Sequence, residues 1–262
     1  MGCGLLILQG STLVVTLLLS CWFSKGEAIK LPKNPSAKKN CNIKVSKHGP
    51  YLVSGGIPLL YMTIKCDKQG IPVKWVMGKK LMTPENYALC RCGQSANKPF
   101  CDGTHLRVNF DGTETSVKSY ASESKEIDGP ELKLIDIEML CASARFCHRG
   151  GNIWQVIPKS NDPKAKKNAI ENSCDCPSGR LVVLDKKTGL TIEPELEKSI
   201  GVIKDPSIGV DGPFWIRGGI PIYSANGKLY EVRNRATLCR CGKSQNKPFC
   251  DSSHYPEEDR ER

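Results

Sequence analysis

Residues 90–105 read CRCGQSANKPFCDGTH, and residues 239–254 read CRCGKSQNKPFCDSSH. Twelve of the 16 positions are identical. Upstream of each lies a second shared block, GPYLVSGGIPL at 49–59 and GPFWIRGGIPI at 212–222, in the same order. An internal repeat sets the architecture before any single element does. The chain therefore holds two related small modules with a further segment between them. The first copy carries 14 more residues between its blocks, around 66–78.

Each upstream block is β structure by composition. Tyr51, Leu52 and Val53, and Phe214, Trp215 and Ile216, are short β-favouring runs ended by Gly-Gly. Residues 71–76 (IPVKWV) and 228–232 (KLYEV) are expected as the next strands, with turns at 67–70 and 225–227. A Cys-rich loop follows, then one helical turn starting near Asp102 or Asp251.

The spacing inside each module is C-x-C-x8-C-x3-H: Cys90, Cys92, Cys101 and His105, then Cys239, Cys241, Cys250 and His254. Alternate positions of an extended strand share a face but lie too far apart for one metal. A turn must draw Cys90 and Cys92 together, and Gly93 permits one. Cys101 and His105 share one face of a helical turn, and Asp102 is placed to cap its first amides. Three thiolates and one imidazole suit a structural Cys3His zinc site. They equally suit a two-iron, two-sulfide cluster with one His ligand. Three Cys per module is an odd number, which argues against disulfides.

The motif resembles the CDGSH signature of the NEET iron–sulfur proteins. Cys90, Cys92, Ser95, Pro99, Cys101, Asp102, Gly103, Thr104 and His105 match it. Cys239, Cys241, Ser244, Pro248, Cys250, Asp251, Ser253 and His254 match a second copy, in which Ser252 stands for the usual Gly. If that position needs a positive φ, Ser costs about 1 kcal/mol there. The resemblance implies a redox-active [2Fe–2S] cluster in each module. Cys90 and Cys92 would hold the buried iron and Cys101 and His105 the outer one, repeated by Cys239 and Cys241 and by Cys250 and His254. One imidazole among thiolates raises the potential relative to four Cys and couples cluster retention to pH.

Between the repeats, Cys141, Cys147, Cys174 and Cys176 form C-x5-C-x26-C-x-C-P. The Cys-Pro end is similar to that of ferredoxins, and the segment resembles a divergent single-cluster ferredoxin domain. A third iron–sulfur cluster, zinc, and buried or disulfide Cys all remain open for these four. Apolar residues over 135–146 have helical spacing, and 181–184 is expected as a strand. His148 is read as a surface residue, His48 as a turn residue, and Cys41 and Cys66 as free buried thiols. Trp75, Trp154 and Trp215 are read as core anchors.

The chain has 262 residues, 14 Cys and a net charge of +11. Charged residues at 25% and hydrophobic ones at 39% exclude wholesale disorder. Aromatic residues do not interleave with basic ones as in base-stacking platforms, so nucleic acid is not an expected partner. Residues 3–23 are apolar and uncharged, and the flank that follows holds five Lys (25, 30, 33, 38 and 39) against Glu27. Residues 1–28 are read as a membrane anchor that leaves the remainder facing the cytosol. The alternative is a signal cleaved near Ala28, giving an exported or organellar protein.

The domains follow: anchor or signal 1–28, basic linker 29–40, first module 41–121, ferredoxin-like segment 122–200 and second module 201–262. The expected fold is small, β-rich α+β, with the two modules paired within the chain as a pseudo-dimer and the ferredoxin-like insert between them. A monomer follows, since no second chain is needed. No nucleophile–base pair, phosphate loop or carboxylate dyad is evident. The expected function is electron or cluster transfer, with redox proteins or apo-acceptors as partners. The alternatives are a zinc-stabilised, membrane-attached interaction module, told apart by its lack of colour, and an oxidoreductase subunit.

Overall fold

The structure, a computed structural model, describes residues 40–116 and 119–256. The leader 1–28 and nearly all of the linker 29–40 lie outside the described residues. Among the described residues no helix is long and apolar enough to cross a membrane.

The first repeat contributes β1 (Asn42–Val45), β2 (Tyr51–Ser54), β3 (Leu59–Cys66), β4 (Pro72–Leu81), β5 (Tyr87–Leu89) and the helical turn α1 (Thr104–Arg107). The central segment contributes β6 (Lys125–Asp128), β7 (Leu132–Asp136), α2 (Ile153–Val156), α3 (Pro163–Cys174), β8 (Leu181–Asp185) and β9 (Thr191–Ile192). The second repeat contributes β10 (Ser199–Asp205), β11 (Val210–Arg217), β12 (Ile222–Tyr223) and β13 (Arg235–Leu238). The fold is β-rich with few helices.

The repeats exchange strands. One sheet has the order β12-β1-β2-β5 and the other β13-β11-β10-β3-β4. In the first, β12 of the second repeat lies parallel to β1, with Ile43 opposite Ile222. In the other, β3 of the first repeat lies parallel to β10, with Ile200 opposite Leu59. These are equivalent pairs in the two sequence copies, as are Tyr51 opposite Leu89 and Phe214 opposite Leu238. Strand alternation explains the register: Tyr51 and Val53 are buried while Leu52 is 42% exposed. The inward faces merge into one core that includes Ile43, Tyr51, Leu59, Ile200, Phe214 and Leu238. Each sheet therefore needs a strand from the other repeat to cover its flank.

The 14-residue excess of the first repeat builds the β3–β4 hairpin. Its Trp75 ring lies 4.9 Å from Phe146 and 4.8 Å from Trp215, and Trp75 Nε1 donates to the Asp175 carbonyl at 3.0 Å. Arg149 donates to the Val73 carbonyl at 2.8 Å and pairs with Asp175 at 2.7 Å. The extra hairpin thus fastens the central segment to the paired repeats.

The central segment has an antiparallel sheet of order β6-β7-β8-β9. It packs on α2 and α3 around Leu132, Leu134, Ile153, Ile157 and Ala169. Helix α3 starts where Asp162 caps Ala165 N at 2.8 Å, with Pro163 in its first turn.

Three local expectations fail. Residues 228–232 form no strand; Leu229 makes a single bridge to Tyr223 of β12, so the pairing that runs along β3 and β4 in the first repeat is cut to one residue here. Residues 135–146 form no helix, because β7 runs to Asp136 with alternate burial and only a short 3-10 turn follows. The second motif has a turn closed by Tyr255 N on the Ser252 carbonyl, at 2.8 Å, where the first has α1. In addition, β10 begins at Ser199 and so straddles the expected boundary at 200/201.

Candidate metal centres

Both motifs are built by the same hydrogen bonds. Cys90 N donates to the Pro99 carbonyl at 2.9 Å, and Cys239 N to that of Pro248 at 2.8 Å. Ser95 Oγ donates to the Phe100 carbonyl and Ser244 Oγ to that of Phe249, each at 2.7 Å. The Asp after the third Cys clamps the loop at both ends. Asp102 accepts from Ala96 N at 2.8 Å and Thr104 N at 3.0 Å. Asp251 accepts from Gln245 N at 2.7 Å and Ser253 N at 3.0 Å. These clamps close a turn that no extended strand could make.

The loops bring the donors together in pairs. Cys90 Sγ and Cys92 Sγ are 3.8 Å apart, and Cys239 Sγ and Cys241 Sγ 3.7 Å. Cys101 Sγ lies 3.4 Å from His105 Nδ1, and Cys250 Sγ 3.5 Å from His254 Nδ1. Two such ligands on one tetrahedral metal stand about 3.5–3.8 Å apart, from bond lengths of about 2.3 Å to sulfur and about 2.0 Å to nitrogen. Each pair is therefore spaced for one metal. No group of three or more candidate ligands converges on a single ion position among the described residues.

The electrostatics fit a bound cation. Burial raises the Cys92 thiol and the fully buried Cys250 thiol. The hydrogen bond with the Cys241 thiol, helped by the amides of Ser244 and Gly242, pushes Cys239 down against burial. That same bond, with burial, raises Cys241. Crowded, desolvated thiols are costly alone, and a metal reverses the cost because a coordinating thiol gives up its proton.

The two clamping carboxylates carry a pH prediction. The Thr104 amide and hydroxyl and the Ala96 amide hold Asp102 well below the usual carboxylate range. At Asp251 burial opposes, but the Ser253 hydroxyl and the Gln245 and Ser253 amides hold the carboxyl down. A carboxyl depressed by folding stabilises above its unfolded pKa of about 3.9, and the gain is lost as pH falls through the folded value. Asp251→Asn should bleach faster than the wild type at pH 7. The difference should begin to shrink below about pH 4 and vanish only as pH falls through the depressed folded value, where the wild-type carboxyl is protonated too. Stopped-flow bleaching of the visible spectrum reads both rates, and equal rates at pH 7 would refute the clamp.

Of the four central Cys, three gather. Cys141, Cys147 and Cys176 line one cavity with Pro177 and Arg180. Burial pushes the Cys147 thiol up to about 12, with Cys176 and Cys141 adding to it. Cys174 ends α3 and faces away, its Sγ 4.0 Å from the Ile192 carbonyl. The expected set of four therefore divides three to one. All twelve described Cys are free, so the disulfide alternative finds no pair. His148 is half-buried, and His48 Nδ1 accepts from Gly112 N at 3.1 Å in a left-handed turn, φ 49°.

Two arginines around this cavity escaped the sequence reading. Arg180 pairs with Asp136 at 2.6 Å and lies 5.3 Å over the Trp154 ring. Arg235 donates to the carbonyls of Cys176, at 2.8 Å, and Leu181, at 3.3 Å. The only signal for Arg180 was its place four residues after Cys176; Arg235 comes from a distant strand.

Comparison with known families gives two matches. Residues 48–106 and 211–255 match the family described as iron-binding zinc finger, CDGSH type. Residues 127–186 match the family described as divergent 4Fe-4S mono-cluster. No curated protein and no solved structure gives a significant match.

Proposed function

From a chain that carries two CDGSH-type iron-binding segments around a divergent 4Fe-4S mono-cluster segment, we propose an electron-transfer protein with two [2Fe–2S] clusters and a third iron–sulfur centre. Cys90, Cys92, Cys101 and His105 hold the first cluster. Cys239, Cys241, Cys250 and His254 hold the second. Cys141, Cys147 and Cys176 hold the central one, with Cys174 outside the set. The clusters supply the one-electron chemistry, and the chain supplies burial, ligands and access.

The observation that carries this reading is the pairing of the donors. A Cys3His zinc site needs all four ligands around one point, whereas a two-iron cluster takes two ligands on each iron. Pairs at 3.4–3.8 Å without a converging group of three favour the latter. The reciprocal strand exchange supports two modules paired as a pseudo-dimer within one chain, and hence a monomer. In the first motif Cys101 and His105 are only half-buried, which suits electron exchange with a protein partner.

The test is an anaerobic visible spectrum of the full chain with iron, sulfide and zinc counted. About eight irons with matching sulfide are expected, four from the two motifs and four from the centre, three of whose irons take Cys thiolates and the fourth a non-Cys ligand. Replacing Cys141 and Cys176 with Ser should remove the excess over about four, while Cys174→Ser should leave it. Colourless protein with zinc and no sulfide would overturn the reading. Full loss of the visible spectrum to an apo-acceptor without added reductant would turn it to cluster transfer.

A further inference from the structure

Ser252 breaks the symmetry of the two motifs. It and its counterpart Gly103 both lie in the left-handed region, with φ 73° and 84°. A Cβ at Gly103 would meet nothing within 4 Å, so the backbone alone favours glycine there. In the second motif the less favourable residue is kept, and its side chain has a partner. Ser252 Oγ donates to the Cys141 carbonyl at 2.9 Å, and the residue is buried.

A second contact runs in parallel. Asn246 Nδ2 donates to the Met139 carbonyl at 2.9 Å. Asn246 is buried, while Asn97 at the same place in the first motif is exposed. The Tyr120 ring covers Phe249 at 5.9 Å. The loop bearing the second ligand set is thus docked on residues 139–141, which lead into the central cavity. Cys250 is buried, whereas its counterpart Cys101 is half-buried.

We propose that Ser252 is a positioning residue that joins the second ligand set to the Cys141 main chain, so that the second and central sites form one coupled redox unit. This rests on the third centre proposed above. Cys239 and Cys250 are buried and the central thiols half-buried, so charge added at one site is felt at the other with less screening than in bulk water. The coupling is reciprocal by linkage. Reducing the central site should make the second harder to reduce, and the reverse.

The full chain, loaded anaerobically, is titrated with a one-electron reductant while electron paramagnetic resonance follows each centre. Cys141→Ser identifies the central signal. In the wild type, reducing the centre should change the second site's reduction equilibrium about tenfold, about 59 mV for one electron. Ser252→Gly and Ser252→Ala should both weaken that dependence by half or more. Their agreement is informative: Gly relieves the backbone and Ala does not, so only the shared loss of the hydroxyl makes them alike. Gly103→Ser, which supplies the hydroxyl without a docked partner, should create no dependence of the first site on the central one. Opposite effects of Gly and Ala, or a wild-type dependence in both, would overturn the role of Ser252. A full iron count with independent potentials would overturn the coupling alone. A count no higher than the two motifs supply would remove the third centre and the coupling with it.

Discussion

Gly93→Ala and Gly242→Ala should each lower the melting temperature by about 10 °C and strip iron from both motifs together. The two glycines lie where the motif loops meet back to back. A Cβ on Gly93 would stand 2.4 Å from the Cys241 carbonyl oxygen, and one on Gly242 2.6 Å from that of Cys92. Each residue also has a left-handed φ, 76° and 80°. The obstructing atoms are backbone, so no side chain can rotate away. Left-handed strain of about 1–2 kcal/mol and overpacking of about 1–3 kcal/mol sum to roughly 3 kcal/mol. At about 2–4 °C per kcal/mol for a domain of this size, the shift is readily measured by circular dichroism. Each glycine abuts a ligand of the other motif, so damage at one loop reaches both. Gly103→Ala is the control: its φ is also positive but its Cβ meets nothing within 4 Å. If Gly93→Ala melts within 2 °C of that control (about 0.5–1 kcal/mol), the close approach does not matter.

The second large effect is expected at Arg235. Its side chain is wholly buried against Glu193, which it meets through Nε at 2.8 Å and a terminal nitrogen at 2.6 Å. The same guanidinium donates to the carbonyls of Ser173, Cys176 and Leu181. One group on β13 therefore fixes the turn that carries Cys176. Arg235→Met takes the cationic partner from Glu193, which keeps only the Asn234 amide, and one of two donors from each of the three carbonyls. Removing one member of a buried pair costs about 3–5 kcal/mol; with Glu193 26% exposed the low end, about 3 kcal/mol, applies, a fall of about 6–12 °C. The iron lost should be that of the central site before that of the motifs. Arg235→Met with Glu193→Gln should recover part of the loss, because the stranded charge is gone. A melting point within 3 °C of wild type (about 1 kcal/mol), with the iron count intact, would contradict this role.

The metal motifs were legible in the sequence because ligand chemistry demands particular side chains at particular spacings. The repeat exposed both copies, and the Gly-Gly ends of β2 and β11 fell as read, since Gly55 and Gly218 occupy left-handed positions closed to other side chains. The central segment was less legible. Helix α3 buries Ala165, Ala169, Asn172 and Ser173, so it carries no large apolar stripe to announce itself. The apolar spacing over 135–146 belongs to the end of a strand and a loop packed between layers. Cys174 and Cys176 share the C-x-C pattern of the motifs, but α3 runs to Cys174 and turns the two thiols apart.

The two Cys-Cys-Cys-His donor clusters, the duplication and the β character of each copy could be read from the sequence alone, because these depend on residue type and short spacing. Tertiary structure decided which repeat completes which sheet, which three central thiols share a cavity, and what Ser252 touches. Parallel pairing of β1 with β12 and of β3 with β10, and the bond from Ser252 to Cys141, join residues more than a hundred positions apart. No local propensity encodes such partners; they are set when apolar faces and polar groups must all be satisfied at once.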